Sequence, residues 1–171
     1  NTVNQWLSVL EASNQIYFLE PFWGNTGKRI VKTPKLYFND VGMLTFLLGL
    51  TSENIEPSTF LGAIWETVVI GEFRKCIKNQ SPESQLWFYR DNQGKEVDAL
   101  LINKGKMDFI EIKWSAKPKR EDSSIMLNVR DEMNQNESGL YQSGDCYLIS
   151  RSPVQMKVNG VYIENLDYFL K

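Results

Sequence analysis

Histidine is absent from the 171-residue chain. Its absence excludes Ser-His-Asp and Cys-His catalysis, zinc sites built on paired histidines, and histidine-based nuclease motifs. Any acid–base chemistry falls to carboxylates, lysine, tyrosine or metal-bound water. Cysteine is scarce: Cys76 and Cys146 are the only two. They are far apart and outside any C-x-x-C pair, which argues against a disulfide framework and a thiolate zinc site. No apolar run reaches the roughly 18 residues that a membrane-spanning helix requires, and no charged-then-apolar leader is present. The reading is a cytoplasmic chain with two reduced thiols and no membrane partner. A basic excess is missing as well, the formal charge being −2 and the isoelectric point about 5.3. Constitutive nucleic-acid binders usually carry positive charge, so contact with DNA here requires a local patch or a bound cation. Internal repeats and low-complexity tracts are also lacking.

Apolar material is plentiful at 42% of residues, enough for a sizeable core in one domain or two small ones. The chain starts at Asn1 directly in a helical pattern, which reads as a piece of a longer protein. Val3, Trp6, Leu7 and Leu10 give residues 1–13 a helical stripe. Residues 16–22 and 29–38 read as strands around the turn cluster Gly24-Asn25-Thr26-Gly27. A helix followed by such a hairpin resembles the back half of a winged-helix unit. Asp40 caps a short helix ended by Gly49. The polar stretch 51–58 then divides the chain into a first segment, 1–57, and a second, 58–171.

The second segment opens with a long helix over 59–78, on which Gly62, Glu66, Val69, Ile70, Phe73 and Ile77 share a face. Three strands follow at 86–90, 96–102 and 107–114. A helix capped by Asp122 or Ser123, a strand at 146–150 and a closing strand-and-turn complete the pattern.

Lys104-Gly105 suits a two-residue hairpin turn. Asn103 then faces Lys106, and counting back sets Asp98 opposite Glu111, with Lys113 on the same side by alternation. Val97, Ala99, Leu101, Ile110, Ile112 and Trp114 fall on the other, buried side. Opposed carboxylates weaken a hairpin unless a divalent cation sits between them. Mg²⁺ or Mn²⁺ takes one or two carboxylates plus water and phosphate, and a neighbouring lysine steadies developing charge or orients water. Glu66 sits on the apolar stripe of its helix, where a carboxylate is seldom found without a partner. The competing reading is an exposed salt-bridged face with Glu66 at its rim.

Other cations are weighed in the same way. Lys28, Arg29, Lys32 and Lys35 cluster around the first hairpin and either contact phosphates or guard a strand edge. Lys117 and Lys119 follow the third strand and either line a nucleic-acid path or form a solvated loop. Trp65, Trp87, Phe88 and Trp114 read mainly as core. Gly27-Lys28-Arg29 is no P-loop: Phe22 stands where the motif needs glycine, and Arg29 where it needs Ser or Thr.

Asp98, the gap, and Glu111-Ile112-Lys113 resemble the D…E-x-K signature of PD-(D/E)XK nucleases, although Val97 replaces the proline. Glu66 matches that family's helix-borne acid. More of the chain is similar to the C-terminal half of the domain-of-unknown-function 4143 family, found behind AAA-type ATPase modules. The stretches are Tyr17-Phe18-Leu19-Glu20-Pro21-Phe22, Val31 to Met43, Gly62 to Val69, and the block Tyr89-Arg90-Asp91…Glu96-Val97-Asp98…Glu111-Ile112-Lys113. The resemblance implies an α/β (α+β) restriction-endonuclease-like core, with a mixed sheet flanked by helices, behind a partial winged-helix-like segment. It also implies an ATPase module in cis, which alone would hold ATP, and a main-chain carbonyl ligand from Ile112. The expected activity is Mg²⁺- or Mn²⁺-dependent hydrolysis of DNA, with Asp98 and Glu111 as ligands, Glu66 assisting and Lys113 supporting the attacking hydroxide. The alternative is a non-catalytic DNA- or protein-binding module serving the ATPase.

Overall fold

A computed structural model describes residues 2–23, 29–135 and 140–170. Helix α1 (Thr2–Ala12) is followed by strands β1 (Ile16–Leu19) and β2 (Lys35–Phe38), helix α2 (Val41–Leu47) and the long helix α3 (Leu61–Gln80). Strands β3 (Gln85–Arg90), β4 (Glu96–Asn103) and β5 (Lys106–Ile112) come next. A 3₁₀ turn (Arg120–Ser123) leads into helix α4 (Ser124–Gln135). Strands β6 (Gln142–Ile149), β7 (Met156–Val158) and β8 (Val161–Glu164) and the short helix α5 (Leu166–Phe169) close the chain.

Six strands form one mixed sheet in the order β3-β4-β5-β6-β8-β7. β5–β6 and β6–β8 are parallel, and the remaining pairs are antiparallel. Helices cover both faces. Under α3, Val69, Ile70 and Phe73 pack with Phe88, Ala99, Ile110, Ile112 and Ile149, joined by Tyr17, Leu19 and Tyr37 of the small β1–β2 sheet. Under α4, Met126 and Val129 pack with Val97, Leu100, Ile102, Phe109 and Leu148. The central strands are therefore buried on both sides, as strands with a parallel partner usually are.

The local chemistry explains most boundaries. Asp40 caps α2 by accepting from the Met43 amide at 2.9 Å, and Gly49 leaves that helix at φ 65°. Lys104 and Gly105 both take positive φ, 48° and 79°, as a two-residue primed turn demands. The first hairpin is stitched to the free edge of β3 by main-chain bonds. Phe22 N–H donates to the Phe88 carbonyl at 2.7 Å, and Val31 N–H to the Arg90 carbonyl at 2.9 Å. This stitching fixes where β2 lies relative to the main sheet. The Gly24 to Gly27 turn falls outside the described residues.

Two register shifts shape the sheet. Between Trp87↔Leu100 and Tyr89↔Val97, two steps on β3 meet three on β4, so β4 carries an extra residue. Val97 and Leu100 consequently lie in one core cluster although three residues apart, while Ala99 lies in the other. A bulge has this effect of re-aiming side chains. The second shift is in β6, between Met107↔Ser143 and Phe109↔Cys146, and Gly144 sits in it. A Cβ on Gly144 would come within 2.6 Å of the Met107 carbonyl and closer still to Asp108 Oδ1, whose partner is the Asp145 amide at 2.7 Å. Backbone cannot yield cheaply there. We expect Gly144→Ala to destabilise the fold by about 1–3 kcal/mol, read as a lower urea midpoint at unchanged slope. An unshifted midpoint would mean that the bulge relaxes freely.

Candidate functional site

β4 and β5 stay paired from Asn103↔Lys106 down to Ala99↔Ile110 and then part. Charged side chains from five elements meet at this opening. By sequence counting, Asp98 faces Glu111 as the next ladder pair; in the structure the ladder stops one pair earlier. The β4 bulge turns Asp98 into the opening, and its Oδ2 accepts the Ile112 amide at 2.9 Å, satisfying the donor the parted strand would otherwise orphan. Ile112 thus contributes an amide that holds Asp98, and the residue itself is buried.

On the α3 side, alternation along β2 turns Lys35 and Tyr37 inward and leaves Leu36 exposed. Lys35 Nζ lies 2.7 Å from Glu66 Oε1, 2.5 Å from Glu96 Oε1 and 3.6 Å from Asp98 Oδ1. The Tyr37 hydroxyl donates to the same Glu66 oxygen at 2.5 Å. Arg90 Nε donates to Glu96 Oε2 at 2.6 Å. On the other side, Glu111 follows the alternation of Phe109, and its Oε1 lies 2.5 Å from Lys113 Nζ. Glu111 Oε2 is buried and accepts from no group among the described residues.

The electrostatics follow from this geometry. Burial, then the neighbouring Asp98, pushes the Glu111 carboxyl well above the usual glutamate range; Lys113 opposes the shift without cancelling it. Burial, then Glu66, raises Asp98 in the same direction against Lys35, the Ile112 amide and Lys113. Burial alone would lower Lys35, but Glu66, Asp98 and Glu96 outweigh it and hold its ammonium charged. Burial and then Glu66 raise the Tyr37 hydroxyl, so it stays a donor. Four carboxylates face the cations Lys35, Arg90 and Lys113, so the fully ionised cluster carries an excess negative charge. A proton or a cation would relieve it.

Oxygen donors are the kind a hard divalent cation takes. Among the described residues no three Asp, Glu, Cys or His side chains are grouped to share a metal ion. The candidates are therefore two, Glu111 with its unpartnered oxygen and the adjacent Asp98, with water and phosphate supplying the rest, an arrangement common for Mg²⁺.

The other sequence-derived candidates disperse. Lys35 is buried among acids rather than presented to solvent. Arg29 and Lys32 are exposed, Lys32 lying 5.3 Å above the Trp23 ring. Lys117 and Lys119 are exposed in the loop after β5, and Lys28 falls outside the described residues. Trp65 and Trp114 pack edge to face at 5.5 Å, and Phe88 is fully buried. Three participants escaped the reading of the sequence: Glu96, Arg90 and Tyr37. Signals for them existed. Glu96 lies two residues before Asp98 and pairs with Arg90 in the β3–β4 ladder, and Tyr37 lies two residues after Lys35.

The raised Glu111 carboxyl has a consequence for stability. The folded state binds its proton more tightly than the unfolded chain does. Its contribution is therefore full below the ordinary glutamate value of about 4.3 and is lost as pH rises toward the higher folded value. In metal-free buffer, Glu111→Gln should flatten this decline and melt above wild type at mildly alkaline pH, measured by thermal unfolding in EDTA. A glutamine variant less stable than wild type there would show that the ion pair with Lys113 outweighs the burial cost.

Comparison with known proteins places this geometry in context. Residues 61–164 match the profile of the domain of unknown function DUF4143, and residues 1–54 match that of a second domain of unknown function, DUF8612. Uncharacterized proteins of Mycobacterium bovis and Mycobacterium tuberculosis are each 30% identical over 118 residues, covering 68% of this chain. The match spans only 26% of each mycobacterial protein. No solved structure matches the chain significantly.

Proposed function

The chain belongs to the DUF4143 family, and from that membership and the site at the β4–β5 opening we propose a nuclease-like module that hydrolyses DNA phosphodiesters with Mg²⁺ or Mn²⁺. The observation that carries the proposal is the buried, unpartnered oxygen of Glu111 beside Asp98 and Lys113. A protein leaves a carboxylate oxygen buried without a donor at a cost of about 1–3 kcal/mol or more, and a ligand that completes it removes the cost. The order of the charged residues, Asp98 and Glu111 on adjacent strands, Lys113 just past the end of the second and Glu66 on the covering helix, supports a restriction-endonuclease-like core. The first segment, with its exposed Arg29 and Lys32, suits a partial winged-helix-like unit near DNA.

The residues divide the work. Asp98, fixed by the Ile112 amide, and Glu111 hold the cation. Lys113 keeps its proton, because Glu111 and Asp98 outweigh its burial, and steadies charge on a phosphate at the opening. Glu66 acts behind Lys35 and Tyr37, positioning rather than touching substrate. When bound, the cation supplies Lewis acidity and a lowered pKa for coordinated water. ATP chemistry would belong to an ATPase module elsewhere in a cytoplasmic parent protein.

A second reading is a non-catalytic module. It is favoured by Lys35, whose ammonium already pairs with Glu66 and Glu96 and lies within ion-pair reach of Asp98. The cluster would then be an ion network that fastens the first segment to the sheet, on a domain that docks DNA or the ATPase. The two readings separate in a cleavage assay on plasmid and single-stranded DNA with Mn²⁺ or Mg²⁺. The first expects metal-dependent cutting that falls by on the order of a hundredfold or more in Asp98→Asn. Absence of cutting by wild type with either metal would give the second reading the lead.

A further inference from the structure

Lys35 stands where two parts of the chain meet. It belongs to the stretch that matches one family profile, at residues 1–54, while Glu66, Glu96, Asp98, Glu111 and Lys113 all belong to the stretch that matches the other, at residues 61–164. Its side chain is only 11% exposed and is enclosed by three carboxylates and the face of Phe88, 5.3 Å from the ring centroid. Glu66 and Glu96 hold the ammonium at 2.7 and 2.5 Å, and Asp98 Oδ1 is within ion-pair reach at 3.6 Å. The remaining Asp98 oxygen is taken by the Ile112 amide. Asp98 Oδ2 is thus taken and Oδ1 faces the ammonium at ion-pair distance, whereas Glu111 Oε2 has no partner among the described residues.

We infer that Lys35 is an internal counter-cation that competes with a divalent ion for Asp98, so that the seating of β2 sets the cation affinity of the site. The inference rests on the metal-site reading above. A unit charge a few ångströms from a carboxylate repels an incoming dication and offsets the negative charge that would attract it. Withdrawing the ammonium removes the positive charge beside Asp98 Oδ1, and Asp98 is close enough to Glu111 to raise its carboxyl pKa. The link runs both ways, because a bound cation that displaces the lysine weakens the tie between β2 and the sheet. β2 is held there by the main-chain stitching of residues 20–22 and 29–31 to β3 as well, so losing the lysine contact need not detach it.

The test is equilibrium binding of Mn²⁺ to the 171-residue chain, followed by calorimetry and by the spin-resonance signal of free Mn²⁺. Lys35→Met should bind Mn²⁺ on the order of tenfold tighter than wild type, and Asp98→Asn placed in that background should abolish the gain. The metal-free Lys35→Met protein should melt lower than wild type and recover on adding Mn²⁺. Should it fail to fold, Lys35→Gln with Glu66→Gln removes one charge of each sign and carries the same comparison. Because its net charge equals that of wild type, tighter binding there reports release of Asp98 rather than a general increase in negative potential. If wild type binds and the Lys35 variants bind no tighter, the inference falls while the metal site stands. If no protein in the series binds Mn²⁺ saturably, the metal-site reading falls and takes the inference with it.

Discussion

Charge at the parting of β4 and β5 must be balanced within a few ångströms, because Lys35, Asp98 and Glu111 are each at most 13% exposed and poorly screened by water. An isolated buried carboxylate either finds a cation, gathers hydrogen bonds or takes up a proton. All three remedies occur side by side. Glu66 and Glu96 are satisfied by Lys35, Tyr37 and Arg90. Asp98 shares Lys35 and takes a main-chain amide. Among the described residues Glu111 has only Lys113, and it is pushed toward its protonated form. The site is thus graded, from the doubly bonded Glu66 and Glu96 beside Lys35 to the Glu111 oxygen that lacks a donor among the described residues.

This grading depends on a bulge. Had β4 remained in register with β3 throughout, Val97 would have shared a face with Ala99, and Asp98 with Leu100 in the core beneath α4. One extra residue returns Val97 to that core and frees Asp98 for the opening. The shift is small in backbone terms, yet it decides which charges can meet. It also lets the first hairpin contribute. β2 reaches Asp98 with Lys35 because residues 20–22 and 29–31 are bonded to the β3 edge.

The two functional readings differ in how they weigh the same atoms. A nuclease-like site needs the vacant acceptor of Glu111 to be the start of a cation site. A fastening network needs Lys35 to be the end of the matter. Both take the cluster as the point where the residue 1–54 stretch and the residue 61–164 stretch are tied together. Buried ion clusters are poor stabilisers relative to apolar packing, so retaining this one at a junction favours a role beyond holding the fold together.

Much was legible in the order of residues. The helical stripe of α3, the Lys104-Gly105 turn with its register, the Asp40 cap and the alternation of apolar and charged residues along β4 and β5 are local properties, set by backbone geometry and short-range sterics. They located Asp98, Glu111 and Lys113 on adjacent strands and marked Glu66 as a carboxylate on an apolar stripe. The β4 bulge was not legible, since it arises from how β3 and β4 accommodate one another. Nor was the inward turn of Lys35, which as a sequence feature looks like any lysine at a hairpin edge. Its environment is made by α3 and β4, 31 and more residues away along the chain. Short-range sterics fixed the elements and the list of acids. Long-range packing alone decided that a lysine sits among them, and that Glu111 Oε2 is left without a partner among the described residues.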